Sequence, residues 1–198
     1  MGTATGNSVR IGSALSLEEW AALPEDDEGE LVDGILVEEE VPDYLHELVV
    51  TWLTHRLLTW LEGRGGFVGG SDAKFGVRPR RGRKPDATAY LPGSKPPPAR
   101  GLVRTPPDIA IEVVSPSARD KRRDRVEKPD DYAAFGVRFY WIVDPAIRTL
   151  EILELGADGR YVRALAAASG SVEVPGCAGL ILDLDRLWAE VDRLSVES

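Results

Sequence analysis

Cysteine is almost missing from this chain of 198 residues: Cys177 stands alone. A single cysteine makes no internal disulfide and no cysteine-based zinc cluster, and it suits the cytosol. Histidine is nearly as scarce. His46 and His55 lie nine residues apart on one predicted helix. At about 100° per residue they point to opposite sides and cannot share a metal. No apolar run approaches the roughly eighteen residues a membrane span needs. The N-terminal MGTATGNSVRIGSALS lacks the apolar centre of a secretory signal and predicts a loose tail over 1–14. Gly6 stands where a myristoylation signal wants Ser or Thr. GRGG (63–66) and Gly69-Gly70 are not followed by the Lys-Ser/Thr of a phosphate loop and read as turns.

What is present describes an ordinary globule, with 43% hydrophobic and 29% charged residues. That is enough for one core, predicted over 15–194. The net charge of −9 argues against indiscriminate nucleic-acid binding. Yet the basic residues are grouped. RPRRGRK (78–84) holds five, and RDKRRDRVEK (119–128) holds six against three acids. Acids concentrate elsewhere, in EDDEGE (25–30) and VEEE (37–40). Such runs are usually solvated surface.

Local signals give the order of elements. SLEE (16–19) is a capping box opening a short helix that Pro24 ends. Asp33-Gly34 between two apolar runs predicts a hairpin. Asp43 caps a helix whose apolar stripe runs from Leu45 to Leu61, with Trp52 and Trp60 in the core and Gly63 as the stop. Strands are expected at 66–70, 73–78, 86–91, 108–114, 137–143, 148–154 and 160–166. A proline-rich surface loop fills 91–107. Helices are expected from 120–124 to Gly136, and after Asp183 or Asp185. The path from 108–114 through a helix to 137–143 reads as a right-handed βαβ crossover. The fold class is therefore α/β or α+β, a mixed sheet flanked by helices, with an N-terminal β-hairpin.

PPDIAIEVVSPS (106–117) raises the question of function. Ile109, Ile111 and Val113 share one wholly apolar face, and Asp108, Ala110, Glu112 and Val114 share the other. A buried carboxylate is costly unless paired or bound to a metal. Asp108 and Glu112 lie about 13 Å apart along a strand, too far to grip one ion. The better partner for Glu112 is Asp86 in KPDATAYL, where an acid again opens an apolar strand after a proline. Carboxylates on adjacent strands, about 4.8 Å apart, can meet at one cation.

An Asp after Pro on one strand and a Glu on the next is similar to the pattern of PD-(D/E)XK nucleases. The segment PPDIAIEVVSPSARDKRRDRVEKPDDYAAFGVRFYWIVDP resembles the Uma-two family of restriction-endonuclease-like proteins, as do ELVDGILVEE, His46 and KPDATAY. The resemblance spans roughly 15–187. It implies a restriction-endonuclease-like fold and hydrolysis of phosphodiester bonds in DNA with Mg2+ or Mn2+. Asp86 and Glu112 would hold the metal, joined by Asp108 or Glu30. The motif lysine is expected two residues after the acid, where this chain has Val114. The resemblance implies that Lys128, on the following helix, replaces it. The plain alternative is a helical pair of Asp124 with Lys128 at i and i+4. Arg80, Arg81, Arg83, Arg119 and Arg122 would hold flanking phosphates, with His46 lining the cleft. Asp108 capping its strand, Glu30 in a solvated acidic run and His46 beside an apolar stripe are the structural alternatives.

Two other functions stay open. One is a nuclease-fold module without a working site, binding nucleic acid or protein, which Val114 favours. The other is an interaction protein, a homodimer joined through edge strands.

Overall fold

The computed structural model describes residues 9–24, 29–38, 42–115, 117 and 122–194. In chain order its elements are α1 (Leu17–Ala21), β1 (Glu30–Val32), β2 (Ile35–Val37), α2 (Tyr44–Leu61), β3 (Phe67–Gly69), β4 (Phe75–Arg78), β5 (Arg81–Arg83), β6 (Ala87–Tyr90) and β7 (Ile109–Val113). A π-helical turn (Arg123–Glu127) runs into α3 (Lys128–Phe135). Then follow β8 (Phe139–Asp144), β9 (Thr149–Leu155), β10 (Tyr161–Ala167), β11 (Ser171–Glu173), β12 (Ile181–Asp183) and α4 (Leu184–Asp192).

The alternation in DIAIEVV sets the centre. β7 is buried at every position and lies inside a six-stranded sheet of order β10-β9-β8-β7-β6-β3. Only the β7–β8 pair is parallel, as the crossover through α3 requires. Ile109, Ile111 and Val113 point into the main core with Val49, Leu53 and Leu57 of α2 and Leu187 and Trp188 of α4. Ala110 and Val114 point to a second core with Tyr132, Tyr140 and Phe75. The side chains of β7 thus divide as their parity predicts.

A second sheet, of order β2-β1-β5-β4, carries the hairpin. Asp33 and Gly34 both take positive φ, 54° and 81°. These are the values a two-residue turn of type I′ needs. β5 lies inside the block RPRRGRK, which the sequence presents as solvated charge. Its Gly82 leaves room for Trp20 of α1: a Cβ there would meet the indole ring at 2.2 Å. Arg81 and Arg83 point the other way, where acids await them.

Residues 9–14, expected in a loose tail, run along β2. The Gly12 N–H donates to the Leu36 carbonyl, and the Leu36 N–H donates to the Ser13 carbonyl. The open edge of β2 supplies the pairing that side-chain periodicity does not reveal. Residues 1–8 of that expected tail lie outside the described residues. β11 and β12 are a further small pair that the sequence reading lacked. Among the described residues no helix is long and apolar enough to cross a membrane.

Candidate active site

β6 and β7 run antiparallel with Ala87 opposite Ile111. One step further along that register sets Asp86 against Glu112. Pro85 has no N–H to give, so it suits this strand entrance. Asp86 Oδ2 accepts from the Val113 N–H at 2.6 Å and stands 3.0 Å from His46 Nε2. His46 sits in the first turn of α2, fixed by the Asp43 cap, whose Oδ1 accepts from the His46 N–H at 2.8 Å. Burial would lower the His46 imidazolium, but the Asp86 carboxylate outweighs it and raises its pKa.

Lys128 reaches this place from α3. Its Nζ lies 2.7 Å from Glu112 Oε2 and 3.0 Å from Asp124 Oδ1. Glu112 Oε1 accepts from the Tyr132 hydroxyl at 2.6 Å. Glu112 is 2% exposed and Lys128 7%. The π turn explains how this helix tolerates Pro129. The Lys128 N–H bonds to the Arg123 carbonyl, five residues back. Widening the helix there eases the clash between a proline ring and the carbonyl four residues earlier. The Asp124 carbonyl instead accepts from the Tyr140 hydroxyl at 2.8 Å.

Burial and crowding set the electrostatics. Glu112 is pushed well above the usual carboxylate range, by burial first and then by the charges of Asp86, Asp124 and Glu30, against the pull of Lys128. Asp124 is raised mainly by burial. Burial works against the Lys128 ammonium, yet Glu112, Asp124, Glu30 and Asp86 overcome it and raise its pKa well above that of an ordinary lysine. Lys128 therefore keeps its proton at neutral pH.

A second cluster adjoins the first. Arg83, at 0% exposure, donates to Glu30 Oε2 at 2.6 Å and to Asp131 Oδ2 at 2.7 Å. Arg81 bonds both Asp131 oxygens and both Asp33 oxygens. The Lys84 N–H donates to Glu30 Oε1 at 3.1 Å. Burial alone would raise the Glu30 carboxyl, but Lys128, Arg83, the Lys84 N–H and Arg123 hold it at about 2.

Asp86, Glu112, Lys128 and His46 thus come together, with Glu30 nearby. Other expected site residues do not join them. Asp108 sits at the opposite end of β7, where its Oδ2 accepts from the Leu91 N–H at 2.7 Å. It ties down the strand entrance and is corrected to a structural residue. Glu30 gives Oε2 to Arg83 and Oε1 to the Lys84 N–H, and serves as counter-ion to Arg83. Arg83 cannot meet a phosphate from inside the core, and Arg81 is committed to two aspartates; both are corrected to scaffold residues. Arg80 is exposed and donates to the Asp33 carbonyl, and Arg122 is exposed beside Glu127. Arg119 lies outside the described residues.

Among the described residues no group of three or more His, Cys, Asp or Glu is placed to hold a metal together. Asp86 and Glu112 offer two carboxylates, hard oxygen donors at the edge of an acid-rich cluster. That set fits Mg2+ or Mn2+, since magnesium keeps several waters and uses one or two carboxylates plus substrate phosphate.

The family model described as Uma2, "Putative restriction endonuclease", matches residues 16–185. A crystal structure titled as a "putative nuclease belonging to DUF820", from Anabaena variabilis ATCC 29413, has the same fold at a TM-score of 0.70. The two chains are 18% identical, and the match covers 89% of this chain and 99% of that one. No curated protein matches.

Proposed function

Because the chain belongs to the Uma2 family of restriction-endonuclease-like proteins, we propose that it is a metal-dependent endonuclease hydrolysing phosphodiester bonds in DNA. The observation that carries this reading is the meeting of Asp86, Glu112 and Lys128 at the β6–β7 strand ends, with Lys128 supplied by a different element from the usual one. Asp86 and Glu112 would hold Mg2+ or Mn2+. When bound, such an ion acidifies water and neutralises charge on the scissile phosphate.

Lys128 contributes charge and not basicity. A general base needs a pKa near the working pH. The raised pKa of Lys128 leaves an ammonium that stabilises developing negative charge. His46 orients Asp86 through their 3.0 Å contact, and Tyr132 fixes one oxygen of Glu112. Such outer partners set the direction of a ligating carboxylate. Among the described arginines expected at flanking phosphates, Arg80 and Arg122 are the exposed ones.

The test is cleavage of supercoiled plasmid with Mg2+ by Asp86→Ala and Glu112→Ala. Both should lose activity by about a thousandfold or more while remaining folded. Two variants that cut as the parent does would remove the assignment. A binding module without catalysis is the second reading, favoured by Val114 at the motif position and by the occupation of both Glu112 oxygens. It predicts no carboxylate-dependent binding of Mn2+ in calorimetry.

A further inference from the structure

Lys128 has two carboxylate partners, and the nuclease reading uses only one of them. Glu112 has to hold the ammonium and also serve a divalent ion. The Asp124 carboxylate makes its close ion pair with Lys128, at 3.0 Å. Exposed i,i+4 pairs are commonplace on helices. This one is different, because the Asp124 side chain is 7% exposed and that of Lys128 is 9%. Taking a carboxylate out of water is costly unless a well-placed partner offsets it.

The surroundings fix Asp124 from several sides. Its carbonyl accepts from Tyr140, which is wholly buried. Arg123 reaches the Glu38 carbonyl and stands 3.7 Å from Glu30. Arg125 bonds Glu151 and lies 3.4 Å from Asp144. The π turn is thus pinned on both sides of Asp124, so the carboxylate is held at a set place beside the ammonium.

Resting on the nuclease reading, we propose that Asp124 is the positioning residue for Lys128. It keeps the ammonium in the site when Glu112 turns its charge toward a divalent ion. A carboxylate oxygen that neutralises a cation has less charge left for an ammonium. With Asp124 at 3.0 Å, Lys128 keeps an anionic partner and stays aimed at the strand end. Without it, a buried ammonium would face a metal with no partner of its own.

The experiment compares the wild-type chain with Asp124→Asn, Asp124→Glu and Tyr140→Phe. Calorimetry with Mn2+ alone should give Asp124→Asn an affinity within about threefold of wild type, since no metal ligand is lost. Plasmid cleavage at saturating Mn2+ should show kcat down about 10–100-fold with KM nearly unchanged. Reductive methylation read by mass spectrometry should leave Lys128 protected in metal-free Asp124→Asn and label it once Mn2+ is added. Asp124→Glu should recover part of kcat. If Asp124→Asn does not fold, Tyr140→Phe carries the test, with kcat down about 3–10-fold at unchanged Mn2+ affinity.

Affinity for Mn2+ about tenfold weaker in Asp124→Asn would make Asp124 a ligand and overturn the proposal. Unchanged kcat with only a lower Tm would overturn it too, as would unchanged kcat in Tyr140→Phe. If the wild type binds Mn2+ and cuts DNA while Asp124→Asn matches it, this inference alone falls. If the wild type binds no Mn2+, the nuclease reading falls and takes the inference with it.

Discussion

Two buried charge clusters lie side by side in this molecule; burial raises one glutamate in each, but the surrounding charges carry the two in opposite directions. Around Arg83, the guanidiniums of Arg78, Arg81, Arg83 and Arg123 meet the interior carboxylates of Glu30 and Asp131, and Glu30 is held at about 2. Around Lys128, the carboxylates of Asp86, Glu112 and Asp124 share one ammonium and a histidine, and Glu112 is pushed up. In the first cluster each acid has an arginine against it. The second has more acid than the chain offsets. Acids matched by arginines suit a scaffold, whereas acids crowded at a strand end are what the proposed cation site requires.

The sharpest way to break the contrast is Arg83→Ala. It removes the buried cation that Glu30 and Asp131 share and should cost about 3–5 kcal/mol, read by urea denaturation. Glu112→Gln should cost clearly less in the metal-free protein at neutral pH, because Lys128 keeps Asp124 as an anionic partner and the amide oxygen still accepts. Equal destabilisation by the two would erase the distinction.

Acid titration separates the clusters next. Glu30 has a folded pKa of about 2, below its unfolded value of 4.5. Its contribution is therefore fully present above about pH 4.5 and is lost as pH falls toward 2, amounting to about 3 kcal/mol. Glu112 has the opposite sign: its raised pKa removes stability as pH rises above the unfolded value. Denaturation across pH 2.5–5 should show Glu30→Gln with a flatter acid limb than wild type. An unchanged slope would mean that Glu30 is not held down.

The smallest effect is expected at the hydroxyl of Tyr132. Tyr132→Phe deletes one donor to Glu112 Oε1 and should cost about 1–2 kcal/mol, with the ring packing kept. A cost below about 0.3 kcal/mol would mean that water replaces the hydroxyl freely.

Much of this was legible in the sequence because it is local. Asp33-Gly34 announces the hairpin, the stripe from Leu45 to Leu61 announces α2, and alternation in DIAIEVV separates two cores. Strand parity singles out Glu112, the acid after Pro85 singles out Asp86, and the family resemblance adds Lys128. The scaffold cluster was hidden because its bonds join residues about fifty positions apart, as Arg83 joins Asp131 and Glu30. Arg81-Gly82-Arg83 has no apolar alternation, so β5 looked like solvated charge. Asp131 and Tyr132 gave one signal only, an acid and an aromatic side by side in a short helix after Pro129. Asp108 misled because parity sets it on the same face as Glu112, and only the tertiary structure shows that it faces Leu91.

The central claim is that Asp86 and Glu112 take one divalent ion between them. Titration calorimetry with Mn2+ on wild type, Asp86→Asn and Glu112→Gln tests it without any need for a substrate. The account predicts one ion per wild-type chain and at least about tenfold weaker binding in each variant. No binding by wild type, or equal binding by all three, would contradict it.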